Sequence, residues 1–222
     1  MPVSADAALR MLRERGRQLV ARGMGDWQAR VNDELFALVE AAADPAGQSR
    51  RMDALRIWHA ARRSLAEGFA GRVDLAFRAL RGHDAAAAAT AAQPAALRLM
   101  DDHELADMIL ADAMAASAAA AIQQPLAELS ARLETLIGVR PGPREIPLAP
   151  EFLVTALAQE IAAVGLVPEA RQVLLRAGEA TLLRALPEVV QQANQLLRDL
   201  GVGLPRAAEP EPVAPADTAA GG

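Results

Sequence analysis

The chain has 222 residues, no cysteine, a formal net charge of −5 and a hydrophobic fraction of 52%. The lack of cysteine excludes disulfides, zinc–thiolate sites and thiol catalysis. Aromatic residues make up only 3% of the chain, so alanine supplies much of the hydrophobic fraction. Because alanine is the best helix former, this composition predicts an all-α protein.

Targeting and membrane signals are the next feature. The first 20 residues contain four arginines and no apolar core segment, so no signal peptide is predicted. The apolar run from Leu105 to Ile122 is interrupted by Asp107 and Asp112, and charges at such depths argue against a membrane span. We therefore predict a cytoplasmic protein with no membrane partner.

Charge is distributed unevenly along the chain. Residues 1–82 hold 14 arginines and 10 acidic residues, whereas residues 83–149 hold 4 and 9, and residues 150–222 hold 5 and 9. A basic first part beside acidic later parts is compatible with self-association or with a charged partner. Solvated helix faces are the simpler interpretation, and we favour it.

Two helices are expected before residue 45. The first is predicted over residues 5–21, ending near Gly23 and Gly25, and the second over residues 26–43, ending before Pro45. The apolar stripe of the second helix is formed by Leu35, Phe36 and Val39.

A third and longest helix is predicted over residues 48–81. Its apolar residues follow one another by threes and fours and therefore share one side; they are Leu55, Trp58, Ala61, Leu65, Phe69, Val73, Phe77 and Leu80. The other side carries Arg56, Arg63 and Arg72, a weak candidate for an interaction surface. Gly68 and Gly71 lie inside this helix, so either a neighbouring helix approaches closely there or the helix bends, and we favour the close approach.

The remaining chain predicts a second helical part. Residues 83–96 are alanine-rich and form a linker between the N-terminal helical part (1–82) and a C-terminal bundle (97–205), which gives about seven helices in all. Within the bundle, helices are expected to end near Ile122 and Ile137, and the small residues from 111 to 121 should pack closely against a neighbour. Prolines open the later helices, with Pro187 starting or kinking the last one, and residues 206–222 read as a disordered tail.

Three motifs resemble one known family. They are Leu97-Arg98-Leu99-Met100-Asp101-Asp102-His103-Glu104-Leu105, then Ile146-Pro147-Leu148-Ala149-Pro150-Glu151, and the ending Ala193-Asn194-Gln195-Leu196-Leu197 through Gly201 to Pro205. Together with the arginine-rich helix upstream, residues 50–205 are similar to the N-terminal helical region of the bacterial family named domain of unknown function 1631. The resemblance implies a regulatory or scaffold protein.

The acidic cluster at the start of the fourth helix has two interpretations. Asp101, Asp102, His103, Glu104 and Asp107 include residue types that bind metals, but consecutive residues around one helix start point in different directions. An N-cap with acidic residues in the first turn is therefore the favoured interpretation, and no metal or other cofactor is predicted.

No catalytic constellation is found. His59, His83 and His103 have no matching serine or cysteine pattern for a nucleophile–base pair, and His59 beside Trp58 is interpreted as a helix-packing residue. We therefore predict no enzymatic activity.

Two binding alternatives stay open. Arg140 and Arg144 lie four residues apart in a proline-rich loop, a spacing that suits a phosphate or a dinucleotide. The arginines of residues 50–81 are a weaker candidate for nucleic-acid binding, because acidic residues are interleaved with them. The leading prediction is a helical module that binds a protein partner or a second copy of itself.

Overall fold

The computed structural model describes residues 3–82 and 101–205, and these residues form helices with no β-strand. The helices are α1 (Ala5–Glu40), α2 (Pro45–Gly82), α3 (Asp102–Ala121), α4 (Gln123–Ile137), α5 (Pro150–Ala162), α6 (Pro168–Gly178) and α7 (Arg184–Asp199). A five-residue π-helix over Glu179–Leu183 joins α6 to α7 without a break. The described part therefore holds six separate helices where about seven were predicted, and the all-α prediction is confirmed.

Helix α1 is continuous through the position of the predicted break. It runs for 36 residues, which is about 54 Å. A Cβ atom added at Gly23 would lie 2.7 Å from the Leu182 side chain of the π-helix, whereas one at Gly25 would meet open space. The prediction that a helix ends near these glycines is wrong. Gly23 lies inside α1, and its small size allows the Leu182 side chain to pack closely against the helix.

Helices α1 and α2 form an antiparallel hairpin, as three cross-helix hydrogen bonds show. Arg13 pairs with Asp74 near one end, Gln28 donates to the carbonyl of Arg62 in the middle, and Arg51 donates to the carbonyl of Leu38 near the other end. Trp27 of α1 and Trp58 of α2 meet edge to face, with ring centroids 5.3 Å apart and an interplanar angle of 88°. The indole N–H of Trp27 also donates to the carbonyl of Leu174 at 2.9 Å, so the hairpin is fixed to α6.

The apolar stripe predicted for α2 is confirmed for six of its eight residues, while Leu55 and Ala61 are half-buried. Trp58, Leu65, Phe69, Val73, Phe77 and Leu80 are all buried. Two neighbouring predictions are wrong: Phe36 is 54% exposed rather than part of the buried stripe of α1, and His59 is exposed rather than packed. Phe36 and His59 each follow a buried residue, Leu35 and Trp58 respectively. One residue further along a helix means a rotation of about 100°, which turns both side chains away from the core.

Gly68 and Gly71, the two glycines of α2 where a close approach was predicted, have different surroundings. A Cβ atom at Gly68 would collide with the carboxylate of Glu160 on α5, so a neighbouring helix does approach there. A Cβ atom at Gly71 would have no neighbour within 4 Å. The predicted close approach is therefore right for Gly68 and wrong for Gly71.

The C-terminal helices pack on the hairpin around one shared core. All seven helices contribute buried apolar residues to a single hydrophobic cluster. The chain bends by 85° between α3 and α4, and α5 packs between α2 and α3. The predicted linker (83–96) and tail (206–222) lie outside the described residues.

Helices α4 and α7 run side by side in the same direction. Asn194 Nδ2 of α7 donates to the carbonyl of Pro125 at 2.8 Å, and Arg132, further along α4, donates to the carbonyl of Val202 beyond the end of α7. That end is closed by Gly201 (φ +81), with hydrogen bonds from Gly201 to Arg198 and from Val202 to Leu197, the pattern of a Schellman motif. Gly201 thus ends the last helix in the left-handed conformation that glycine favours.

Pro187 lies inside α7, rather than at the start of a helix. Proline has no N–H and its ring clashes with the carbonyl four residues earlier, which here is Leu183, the last residue of the π-helix. The wider π turn directly before the proline accommodates this conflict without a chain break.

Candidate interaction surface

The acidic residues before α3 form its N-terminal cap. The backbone N–H of Glu104 donates to Asp101 Oδ1 at 2.6 Å, and the Asp101 N–H donates back to the Glu104 carboxylate at 3.4 Å. This reciprocal pair is a capping box. The hydrogen bond from Glu104 N–H lowers the pKa of the Asp101 carboxyl below its usual value. The predicted capping role is confirmed.

Asp107, the last member of the acidic cluster, has a different partner. Its Oδ2 accepts a hydrogen bond of 2.6 Å from Arg171 Nε, and this ion pair joins α3 to α6. Within residues 3–82 and 101–205, no group of three or more metal-ligating side chains lies close enough to hold an ion. The cluster is thus divided between capping and helix docking.

One side of α3 packs on the rest of the protein. Ala111, Met114 and Ala115 are buried, and α5 is the main neighbour of this side. The prediction that residues 111–121 pack closely therefore holds for this side only, since Ala113, Ala116 and Ala120 are exposed.

The opposite side of α3 is apolar and exposed, and we call it the α3 outer face. It consists of Leu105, Ala106, Met108, Ile109, Asp112, Ala113, Ala116 and Ala120. Leu105 and Met108 are each 44% exposed and Ile109 is 59% exposed. A helix that is apolar all round is normally buried, so this helix has one side more than the described core covers.

Charge on and beside the α3 outer face has one sign. Asp102 and Asp112 are exposed, and α3 contains no arginine or lysine. Helices that lie on membrane surfaces generally carry Lys or Arg on their polar side. None of the described helices is long and apolar enough to span a membrane alone, although α3 and α4 together, with their 85° bend, meet that criterion of length and composition.

The two loop arginines predicted as a ligand site are exposed at the surface. Arg140 Nε lies 3.9 Å from the carboxylate of Glu134, and Arg144 is exposed between Pro143 and Glu145. The Glu145 carboxylate accepts the Gly142 N–H at 2.7 Å within the same loop. The Glu134 carboxylate beside Arg140 would compete with a bound phosphate.

The three arginines of the predicted α2 surface are all paired with acidic residues. Arg56 pairs with Asp53 and Arg63 with Glu67, each at 2.8 Å along α2; the hydrogen bond from Arg63 to Glu67 raises the pKa of Arg63. Arg72 instead reaches α5, where it contacts Glu160 and donates to Gln159. Arg72 thus contributes to packing between helices, while Arg56 and Arg63 remain on the open surface.

The α3 outer face was not predicted from the sequence, although a signal was present. Residues 105–121 contain apolar and small residues at almost every position, whereas a half-buried helix shows a polar side. Apart from Asp107, Asp112 and Ser117, this stretch therefore places apolar or small residues on every side of the helix.

These helices define an all-α domain with an exposed apolar helix face. Residues 4–201 match the family model described as Protein of unknown function (DUF1631) N-terminal domain, and the chain belongs to this family. The match includes the N-terminal part of the hairpin, upstream of the region (50–205) that carries the sequence resemblance. No curated protein matches the chain. No solved structure matches it.

Proposed function

We propose that this domain is a non-enzymatic interaction module that uses the α3 outer face to bind a helix of a partner protein. The observation that carries the proposal is the exposure of Leu105, Met108 and Ile109 together on the α3 outer face, where Asp112 is the only charged residue. Exposed apolar side chains at this spacing (i, i+3, i+4) match the way in which one helix presents anchors to another.

Size and charge support a helical and basic partner. The 20 residues of α3 give a surface about 30 Å long and about 10 Å wide, the dimensions of one helix. Asp102 and Asp112 lie on or beside this surface with no basic residue on the same helix, so a partner helix with arginine or lysine at its edges is complementary. Two α3 outer faces would repel each other through the same aspartates, which favours a different protein over a second copy.

The proposal is tested with the full chain in the bacterium that makes it. The native chain, the Leu105→Glu/Ile109→Glu variant and the Arg56→Glu/Arg63→Glu variant are purified by affinity under mild conditions, and co-purifying proteins are quantified by mass spectrometry. We expect one stoichiometric partner that the α3 variant loses and the arginine variant keeps. Cross-linking with mass spectrometry should then join α3 to a basic amphipathic helix of that partner.

Other outcomes would contradict the proposal. A partner that is lost only with the Arg56→Glu/Arg63→Glu variant would place binding on α2. Vesicles of anionic lipid that carry the native chain but not the α3 variant in a flotation experiment would make α3 a membrane contact. Circular dichroism of both variants controls for folding, since all four changed side chains are partly or largely exposed.

A further inference from the structure

Asp112 is a single charged residue inside the otherwise apolar α3 outer face. Met108 and Ile109 lie four and three residues before it, and Ala113 and Ala116 lie one and four residues after it. Residues three and four apart are neighbours on a helix surface. The Asp112 carboxylate is therefore bordered by apolar side chains, on the surface that we assign to a partner helix.

The Asp112 carboxylate has no protein partner in the part of the chain that the structure describes. It is exposed, with neither a hydrogen bond nor an ion pair there, and α3 contains no arginine or lysine. A helix that covered the α3 outer face would remove water from this carboxylate. Loss of water without gain of a cation opposes binding, so Asp112 selects against a partner whose contact surface is wholly apolar.

The size of the exposed side chains changes along the α3 outer face at Asp112. On its N-terminal side they are large, and Ile109 is 59% exposed. On its C-terminal side the face continues as Ala113, Ala116 and Ala120. The separation of two packed helices depends on the side chains at their contact. A partner helix held off by Ile109 therefore leaves space above Ala113 and Ala116, where one of its own long side chains can lie.

Arginine is the side chain that suits both the charge of Asp112 and the space beside it. The aliphatic stem of arginine covers apolar surface while its charged end stays in a polar environment. Its guanidinium is always charged, is less strongly hydrated than the ammonium of lysine, and can bind one carboxylate through two parallel hydrogen bonds. A weakly hydrated cation loses less when a partner helix closes over the contact.

We infer that the partner helix carries an arginine within its apolar stripe, and that this arginine pairs with Asp112 while its stem lies on Ala113 and Ala116. The inference rests on the proposed function, because it requires a helix on the α3 outer face. It adds one specified cation at one position inside the contact to the basic edges argued above. Asp112 thus determines which helices bind, and the large apolar residues before it supply affinity for helices in general.

The probe is a phage-displayed library of amphipathic helical peptides of the length of α3, in which each position of the apolar stripe is randomised in turn. The library is panned on the full native chain. Counter-selection against the Leu105→Glu/Ile109→Glu variant removes peptides that bind elsewhere. We expect arginine to be enriched at one stripe position, and lysine much less. An enriched peptide is then synthesised with that arginine and with leucine in its place.

The Kd values of these two peptides, measured by fluorescence anisotropy, test the role of Asp112. We expect the native chain to bind the arginine peptide about tenfold more tightly than the leucine peptide, because a close charge pair is gained. Asp112→Asn should raise the Kd of the arginine peptide about tenfold and should not raise that of the leucine peptide. Asp102→Asn removes the same charge from the first turn of the same helix and should leave the ratio of the two Kd values unchanged.

Ala116→Leu tests the space beside Asp112 by the sign of its effect. The substitution adds apolar surface, so it would lower Kd if binding depended on apolar area alone. We expect it to raise the Kd of the arginine peptide about tenfold, because leucine occupies the space of the arginine stem. Ala60→Leu, at an exposed position of α2, is the matched control and should change neither Kd. Circular dichroism of all variants verifies that each is folded.

Some results would overturn this inference and leave the proposed function standing. They are enriched peptides with wholly apolar stripes that still require Leu105 and Ile109, an Asp112→Asn variant with the native ratio of Kd values, or an Ala116→Leu variant that binds the arginine peptide more tightly. If no peptide depends on Leu105 and Ile109, the arginine inference and the proposed function both fail.

Discussion

Asp74 of α2 is contacted by three arginines of the α1–α2 hairpin. Arg13 donates to it twice, at 2.6 and 2.9 Å, Arg78 approaches to 2.9 Å and Arg17 to 3.7 Å. The hydrogen bond from Arg13 is the main cause that lowers the pKa of the Asp74 carboxyl, against an opposing effect of burial. One carboxylate thus holds the N-terminal half of α1 against the C-terminal half of α2.

We expect Asp74→Asn to lower the free energy of unfolding by about 2 kcal/mol at neutral pH, the value of charge-assisted hydrogen bonds. Because the folded pKa is depressed, the stabilisation is present above the unfolded pKa of about 3.9 and is lost as the pH falls through the folded pKa. Urea unfolding of both proteins across acidic pH should show their stabilities converging. Asp112→Asn changes an exposed site and should have nearly the native free energy of unfolding at any pH. If the difference in free energy of unfolding between Asp74→Asn and the native chain did not change with pH, Asp74 would not be the group responsible.

Glycines inside the long helices divide into packing sites and open sites. A Cβ atom at Gly16 would lie 2.6 Å from the buried ring of Phe77, whereas one at Gly71 would meet nothing within 4 Å. Alanine gains about 1 kcal/mol over glycine in a helix, and overpacking costs about 1–3 kcal/mol. The sign of the effect therefore depends on the neighbour.

We expect Gly16→Ala to lower the free energy of unfolding by about 1–2 kcal/mol, because the Phe77 ring cannot move without disturbing the core. Gly71→Ala should raise it by about 1 kcal/mol. Both are measured by urea unfolding under identical conditions, so each variant is the matched control for the other. A stabilised Gly16→Ala protein would show that the core around Phe77 yields easily.

Residue-level predictions from the sequence succeeded where the cause was local. The Asp101 cap depends on a partner three residues away, so spacing was enough. The prediction for Gly23 was wrong because the side chain that packs against it, Leu182, lies 159 residues further along the chain. A glycine that ends a helix and one that admits a neighbour look the same in a single sequence.

At the scale of elements, α3 is fixed at two places. Apolar packing of Ala111, Met114 and Ala115 holds it on one side, and the Asp107–Arg171 ion pair ties it to α6 with both side chains more than four-fifths buried. The α3 outer face contributes nothing to this attachment. Local opening of α3 should therefore depend strongly on the ion pair.

We expect Asp107→Asn to destabilise the docking of α3 by about 3 kcal/mol, since it leaves the largely buried Arg171 without an anion. Amide hydrogen exchange should accelerate along α3, while exchange in the middle of α2 stays slow. Asp112→Ala, one turn further and exposed, is the control and should not change exchange in either helix. Equal acceleration in α2 and α3 would mean that α3 does not open independently.

The helices themselves were predicted unequally well. The stripe of α2 could be read from its regular period, because burial on one side leaves that period in the sequence. The continuity of α6 with α7 could not be predicted from the sequence. A proline such as Pro187 normally indicates a helix start or a kink, and the π turn before it leaves no recognisable pattern. The α3 outer face depends on which helices become neighbours, and the sequence alone does not show this.

At the scale of the molecule, the N-terminal hairpin and the C-terminal helices share one hydrophobic cluster. Direct bonds cross between them as well, including Trp27 to the Leu174 carbonyl and Arg72 to Gln159. The basic excess of residues 1–82 is thus partly met by polar and acidic groups of the later helices.

We expect the full chain to unfold in one cooperative thermal transition, because a shared core cannot be lost from one part alone. Differential scanning calorimetry should give a single peak with a calorimetric enthalpy equal to the van't Hoff enthalpy. Two resolved peaks would show that the hairpin and the C-terminal helices are separate folding units despite their contacts.

The edge-to-face pair of Trp27 and Trp58 has a spectroscopic consequence. The chain contains no tyrosine, and these are its only two tryptophans, so the near-ultraviolet spectrum arises almost entirely from one pair of buried indoles. Electronic transitions of two rings 5.3 Å apart and nearly perpendicular are coupled, and their circular dichroism depends on the angle between them. The near-ultraviolet circular dichroism of the protein therefore reports the relative orientation of α1 and α2, its two longest helices.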